Sequence, residues 1–124
     1  MVTAPIMPCP CGSGELYASC CGHYHQGAIA ATPEQLMRSR YSAFALGLTE
    51  YLLQTWHPTT QPQLDLADNP TWLKLEILSS WQRNNKGFVH FRAYYQVGSE
   101  LGVLEEASDF VLENQRWYYV QGTY

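Results

Sequence analysis

Four cysteines, at positions 9, 11, 20 and 21, fall within thirteen residues, and the chain has no others. They sit in CPCGSGELYASCCG, a stretch too short and too poor in large apolar residues to bury a core of its own. Order in this segment must therefore come from the sulfurs. Two chemistries compete. Disulfides within the Cys9/Cys11 or Cys20/Cys21 pair would close very small, strained rings, while bridges between the pairs are geometrically open. A metal asks instead for four soft ligands converging as a tetrahedron, with zinc–sulfur distances of ~2.3 Å. Cys9 and Cys11 can form one knuckle. Gly12-Ser13-Gly14 lets the chain turn sharply, and Cys20 and Cys21 return to close the site. His23 and His25 follow at once and are of a type that can replace either late cysteine. Free structural thiols suit a lone buried cysteine better than a cluster.

Compartment bears on that choice. The 124 residues suffice for one ordinary domain, and 46% hydrophobic against 15% charged residues is a foldable balance. The net charge of −4 offers no broad basic surface, which argues against general nucleic-acid binding. No apolar run approaches the ~20 residues of a membrane span. The start, MVTAPIMPCP, lacks the basic n-region and apolar h-region of a signal peptide. A cytoplasmic protein is the expectation, with its thiols kept reduced, so the metal reading is favoured over disulfides. Four cysteines around one metal make a closed site, which is structural and not catalytic.

CPCGSGELYASCCGHYH resembles the SEC-C motif, the small zinc element at the C-terminal tail of the protein-translocation motor ATPase. That pattern is Cys-x-Cys-Gly-Ser-Gly, a Tyr three residues after the second Gly, then Cys followed by Cys or His, then Gly. Cys9, Cys11, Gly12, Ser13, Gly14, Tyr17, Cys20, Cys21 and Gly22 match it. The resemblance implies one zinc on Cys9, Cys11, Cys20 and Cys21, and contact with a protein partner through the element. The motor's version carries lysines among these positions. Here they are Glu15, Leu16, Ala18 and Ser19, and residues 1–37 contain no Lys or Arg. Four thiolates on one zinc leave a charge of about −2.

The rest of the chain changes character. Thr32 is placed as an N-cap, Pro33 as N1, and Glu34 and Gln35 in the first turn. Leu36, Met37, Tyr41, Phe44, Ala45 and Leu48 then recur at helical spacing. Gly47 interrupts the pattern, with Thr49 as cap of a second helix, Glu50 to Trp56. HPTTQPQLDLADNP reads as loop. After it the period falls to two. Strands are predicted over 71–81 (Leu73, Leu75 and Ile77 on one face), 88–97, 103–112 and 116–121, separated by QRNNKG, GSELG and ENQ. Val89, Phe91, Ala93, Tyr95 and Val97 share a face of the second strand. His90, Arg92 and Tyr94 share the other, as an exposed surface or a homodimer face. The plan is α+β, an antiparallel meander that curls around the long helix.

MRSRYSAF, YLLQTWHP and DFVLENQRWYYVQG resemble the body of the YchJ family. Those proteins, of unsettled activity, join SEC-C elements to a cone-shaped nuclear-transport-factor-two-like (NTF2-like) domain, also called cystatin-like or SnoaL-like. The resemblance runs over about residues 8–122. It implies a SEC-C element over 1–29 and a cone over 30–124. The family's third strand tends to read His-Glu-Arg-Ser before the Phe. Here EEAS keeps Glu106 and Ser108 but has Ala107 where the family has a base.

Glu106 stands out on periodicity alone. Leu104, Glu106, Ser108, Phe110 and Leu112 share a strand face, while Glu105, Asp109 and Glu113 form the solvated one. A carboxylate on an apolar face must be paired, protonated or functional. Arg40 lies at the edge of the helix's apolar stripe, so the plainer reading is a buried Arg40–Glu106 ion pair. The sharper reading is a pocket acid, with His57, in Trp56-His57-Pro58, as a base near neutral pH. Tyr41 reads as core. Asp65 and Asp68 are further carboxylates within a loop's reach. Two functions follow. One is a binding or adaptor module whose cone holds a small apolar ligand or peptide. The other is a small-molecule isomerase or hydratase working through Glu106 and His57.

Overall fold

The computed structural model describes residues 7–123. The reading of residues 1–6 as free of a leader lies outside the described residues. A single 3-10 turn, Tyr17–Ser19, and a short helix α1, Cys21–His25, build the N-terminal element. Helices α2, Pro33–Leu46, and α3, Thr49–Gln54, follow. Four strands complete the chain: β1, Thr71–Arg83; β2, Lys86–Val97; β3, Glu100–Glu113; and β4, Arg116–Thr123. They pair in sequence order as an antiparallel meander.

Helix α2 starts as its sequence dictates. The Thr32 hydroxyl accepts from the Gln35 N–H at 3.1 Å, Pro33 occupies the first turn, and Glu34 faces the positive end of the helix dipole. The helix ends at Gly47, as expected. The second helix differs. Thr49 is its first residue, not its cap, because Leu48 takes the cap position without a side-chain bond. It also stops at Gln54. The backbone then turns into the sheet: Tyr119 N–H donates to Thr55 O at 2.8 Å, and His57 N–H to Tyr119 O at 2.7 Å. This one-residue parallel bridge of Trp56 with Tyr119 sends neighbouring side chains to opposite sides.

The strand faces follow the alternation except where bulges interrupt it. On β2, Val89, Phe91 and Ala93 point inward and are buried; Val97 lies beyond the core and is exposed. On β3, Glu106, Ser108 and Phe110 are buried. On β1 the expected Leu73–Leu75–Ile77 face is broken. The register shifts between Trp72 and Lys74, so Trp72 opposes Tyr95 and Leu75 opposes Ala93, while Leu73 is exposed. An extra residue at a bulge reverses every side chain before it. Further shifts, at Ile77/Ser79 and Asp109/Phe110, help the sheet curl. The outer face carries an ion network. Arg92 reaches Glu105 at 2.8 Å and Glu76 at 3.3 Å, and His90 meets Glu105 at 2.9 Å.

One core cluster joins the two ends of the chain. Cys9, Cys11 and Cys21 pack in the same buried group as Leu36, Met37, Tyr41, Phe91, Phe110 and Trp117. Within the sheet, β4 crosses β3 tightly at Gly122, opposite Ser108. A Cβ there would collide with the Glu106 carboxylate, which is buried and held by two donors, so it has no easy way to give. Gly122→Ala should therefore cost ~1–3 kcal/mol in urea unfolding. Unchanged stability would mean that the carboxylate swings aside without loss.

Candidate functional site

The cysteine site is built on a tight loop. Cys9 N–H donates to Glu15 O at 2.9 Å, and Tyr17 N–H to Met7 O at 2.9 Å. Between them Gly12 and Gly14 take φ of 79° and 87°, a conformation that L side chains rarely adopt. The turn folds Cys9 and Cys11 back onto Cys20 and Cys21. All four sulfurs lie within 4.8 Å of one another. Cys11 Sγ and Cys20 Sγ are 3.7 Å apart. That is far beyond a ~2.05 Å disulfide and close to the about 3.8 Å edge of a tetrahedron with ~2.3 Å bonds. All four cysteines are free thiols. The contact with Cys21 holds the Cys11 thiol well below the ordinary thiol range, and the same contact pushes Cys21 up. A shared proton that leaves one sulfur readily as thiolate suits a metal ligand set.

Surrounding groups hold the cluster. The hydroxyls of Ser13 and Ser42 lie 3.1 Å from Cys20 Sγ and 3.6 Å from Cys9 Sγ, placed to donate to thiolates. Arg38 donates to the Cys11 carbonyl at 3.1 Å and to Glu34 at 3.1 Å. Neither histidine joins. His23 is exposed. His25 has both ring nitrogens engaged: Nε2 donates to the Ser39 carbonyl at 2.8 Å, which leaves Nδ1 to accept from the Tyr17 hydroxyl at 2.6 Å. Burial lowers its pKa, which keeps the ring neutral.

A second site lies inside the cone. A cavity of about 250 Å³ opens between α2 and the sheet. Met37, Tyr41 and Phe44 line it from α2, and Trp72, Phe91 and Leu104 from the strands. Its polar part comes from Arg40, Trp56, Glu106 and Tyr119. Burial pushes the Tyr41 phenol up to about 12, so it stays protonated. Trp56 meets Tyr119 edge to face with ring centres 5.0 Å apart, and its buried Nε1 has no hydrogen-bond partner among the described residues.

Arg40 and Glu106 both face this cavity, but they do not form the expected ion pair. Arg40 Nη1 donates to Leu52 O at 2.8 Å and to Thr55 Oγ1 at 2.6 Å. Its guanidinium lies 4.8 Å from the centre of the Trp56 ring and 4.6 Å from that of Tyr119. Burial pulls its pKa down to about 10, against the opposing effects of Tyr119, Tyr51 and Glu106, so it remains charged near neutrality. Glu106 Oε2 accepts from Ser108 at 2.5 Å and from the Tyr119 hydroxyl at 3.0 Å. The end of α3 answers the cation, while Ser108 of β3 and Tyr119 of β4 answer the anion.

His57 is not in this cavity's wall. Thr59 N–H donates to its Nδ1 at 3.2 Å, so Nε2 carries the proton and donates to Glu113 at 2.9 Å. Alternation past the Trp56 bridge puts Trp56 in the wall and His57 on the far side. Asp65 and Asp68 are exposed, and Asp65 caps its own turn at Ala67 N–H. Sequence reasoning missed Tyr119. Its signal was the alternation that places it with buried Trp117 on one face of β4.

Fold and cysteine site together define a SEC-C element joined to an NTF2-like cone. Residues 8–22 match the SEC-C motif, and residues 32–122 match the family described as YchJ, middle NTF2-like domain. The chain belongs to the YchJ family, whose curated members are called UPF0225 proteins. It is 46% identical over 123 residues to a UPF0225 protein of Chromobacterium violaceum, covering 92% of this chain and 90% of that one. Against a UPF0225 protein of Streptomyces coelicolor it is 46% identical, over 97% and 98% of the two chains. A SEC-C motif containing protein from Rhodopseudomonas palustris, solved in solution, superposes with a TM-score of 0.85 at 35% identity, over 94% of this chain and 98% of that one. No helix among the described residues is long and apolar enough to cross a membrane.

Proposed function

We propose that the protein is a zinc-containing binding module of the cytoplasm, with a structural metal in its SEC-C element and a small, mainly apolar ligand in its cone. Four thiol donors within 4.8 Å of one another, one pair of them at the tetrahedral edge length, support zinc, and a closed sulfur set supports a structural role. The exposed Leu16 beside a site of negative charge suits contact with a basic partner protein. The cavity carries the ligand reading. Its volume lies below the ~300–1,000 Å³ typical of drug-sized ligands, and apolar or aromatic side chains make up all of its wall except Arg40 and Glu106. An isomerase or hydratase would need Glu106 and His57 on one substrate. His57, held by Glu113 outside the wall, weakens that alternative.

Ethylbenzene, as a plain apolar probe, tests the reading by calorimetry and NMR. It should bind saturably to the full chain. Leu104→Trp, which fills the cavity, should weaken it about tenfold or more, a loss of about 1.4 kcal/mol. Absence of saturable binding, or equal binding to Leu104→Trp, would remove the cone ligand.

A further inference from the structure

We propose that the Tyr41 hydroxyl is the polar anchor of the cone, and that its ligand is a small apolar molecule carrying one uncharged oxygen, of the carbonyl or alcohol type, that accepts the phenol proton. This rests on the cavity reading above and names the chemistry of its occupant. Tyr41 lines the cavity from α2 and is only 3% exposed. Its hydroxyl forms no hydrogen bond among the described residues. Nor is that oxygen sealed in. Among the described residues, Trp56 Nε1 is the buried side-chain polar atom with neither a partner nor accessible surface. The Tyr41 oxygen therefore keeps open space beside it, and with the rest of the side chain enclosed that space is the cavity.

A buried hydroxyl without a partner costs stability, and phenylalanine would fill the same place without that cost. The fold makes no use of this oxygen. The cavity's two charged groups differ. Arg40 uses Nη1 to hold Leu52 O and Thr55 Oγ1, and Glu106 uses Oε2 to hold Ser108 and Tyr119. The Tyr41 ring is itself fixed. It meets Trp72 edge to face with ring centres 6.1 Å apart, and Trp72 Nε1 donates to Asn69 at 2.9 Å. A hydroxyl on a ring held in this way is placed in advance for a ligand. Its lone pairs are drawn into the ring, so it donates better than it accepts. Arg40 and Glu106 both face the cavity, so an ion of either sign meets its like and loses its hydration among apolar walls. An uncharged oxygen escapes that loss, and its apolar carrier fits against Phe44, Phe91 and Leu104.

Ethylbenzene, 1-phenylethanol and acetophenone share one skeleton and differ in carrying no oxygen, an alcohol or a carbonyl. Calorimetry with the zinc-loaded full chain and with Tyr41→Phe compares each ligand with itself, which cancels differences in its hydration. Tyr41→Phe should weaken acetophenone and 1-phenylethanol about threefold to tenfold, the worth of one neutral hydrogen bond, and leave ethylbenzene unchanged. The carbonyl carbon of labelled acetophenone should move downfield on binding the natural chain and less on binding Tyr41→Phe. The variant's urea midpoint should equal or exceed that of the natural chain. A lower midpoint would show a hydroxyl bonded within the protein and overturn the anchor. The same change for all three ligands, or none for any, would overturn it too and leave the apolar cavity standing. A loss confined to 1-phenylethanol would overturn donation by Tyr41. Benzoate binding more tightly than acetophenone would overturn the uncharged class. Failure of all three uncharged ligands to bind would take down the cavity reading itself.

Discussion

Removing the metal with a chelator under native conditions is expected to unfold residues 7–29 and to loosen α2, while β2 and β3 stay protected from hydrogen exchange. A thiolate zinc site contributes ~10–16 kcal/mol of apparent folding free energy to a small peptide, comparable with the whole stability of a typical domain. The segment has little else. Its one 3-10 turn and five-residue helix cannot persist alone. The effect must spread to α2, because Ser42 faces Cys9, Arg38 holds the Cys11 carbonyl, and the Ser39 carbonyl accepts from His25. Those α2 residues lose their partners when the element opens. The sheet keeps its ladders, which are its own, although Val89, Phe91 and Phe110 share a core cluster with Cys9, Cys11 and Cys21 and lose those neighbours. Elemental analysis should give one zinc per chain, unchanged in His23→Ala. Loss of protection throughout β2 and β3 would make the chain one cooperative unit and overturn a division near residue 30. Full protection after the metal has gone would overturn a structural role for it.

The elements legible in the sequence were those fixed by neighbours. Thr32-Pro33 sets the start of α2 through bonds within one turn, and Gly12-Ser13-Gly14 sets the cysteine loop the same way. Alternation placed Glu106, Ser108 and Phe110 inside because β3 pairs with β2 without a shift across them, and the shift at Asp109/Phe110 adds its extra residue to β4. Leu73 failed for the opposite reason. A bulge is an insertion in register against a partner strand, and β1 alone does not carry that register. Trp56 and His57 show the same limit. Their separation to opposite sides depends on a single bridge to Tyr119, which has no sequence pattern of its own. Arg40 and Glu106 were legible as buried charges, and Ser108 as a neighbour of Glu106 on the same strand face, but the other partners were not. Leu52, Thr55 and Tyr119 come from elements placed by packing.

Replacing Arg40 is expected to be markedly worse than replacing Glu106, an asymmetry that a direct ion pair would not give. Arg40→Met strips the Leu52 carbonyl and the Thr55 hydroxyl of their donor and leaves the Glu106 carboxylate buried without a nearby cation. A loss of ~3–5 kcal/mol is the scale for such an uncompensated buried charge. Glu106→Gln is milder. The Gln amide oxygen still accepts from Ser108 and Tyr119, and Arg40 keeps its two acceptors and its place between the Trp56 and Tyr119 rings. Only the through-space attraction between the charges goes, so ~1–3 kcal/mol is expected. The double variant should fall short of the sum by ~0.5–1.5 kcal/mol, the coupling of two charges that share a cavity without touching. Urea unfolding of the four proteins measures all three quantities. Equal single losses with nearly full rescue in the double variant would restore the ion pair. A stabilised Glu106→Gln would show a carboxylate held against its own preference. Groups strained in that way serve chemistry more often than structure, and the isomerase or hydratase reading would then overtake the binding module.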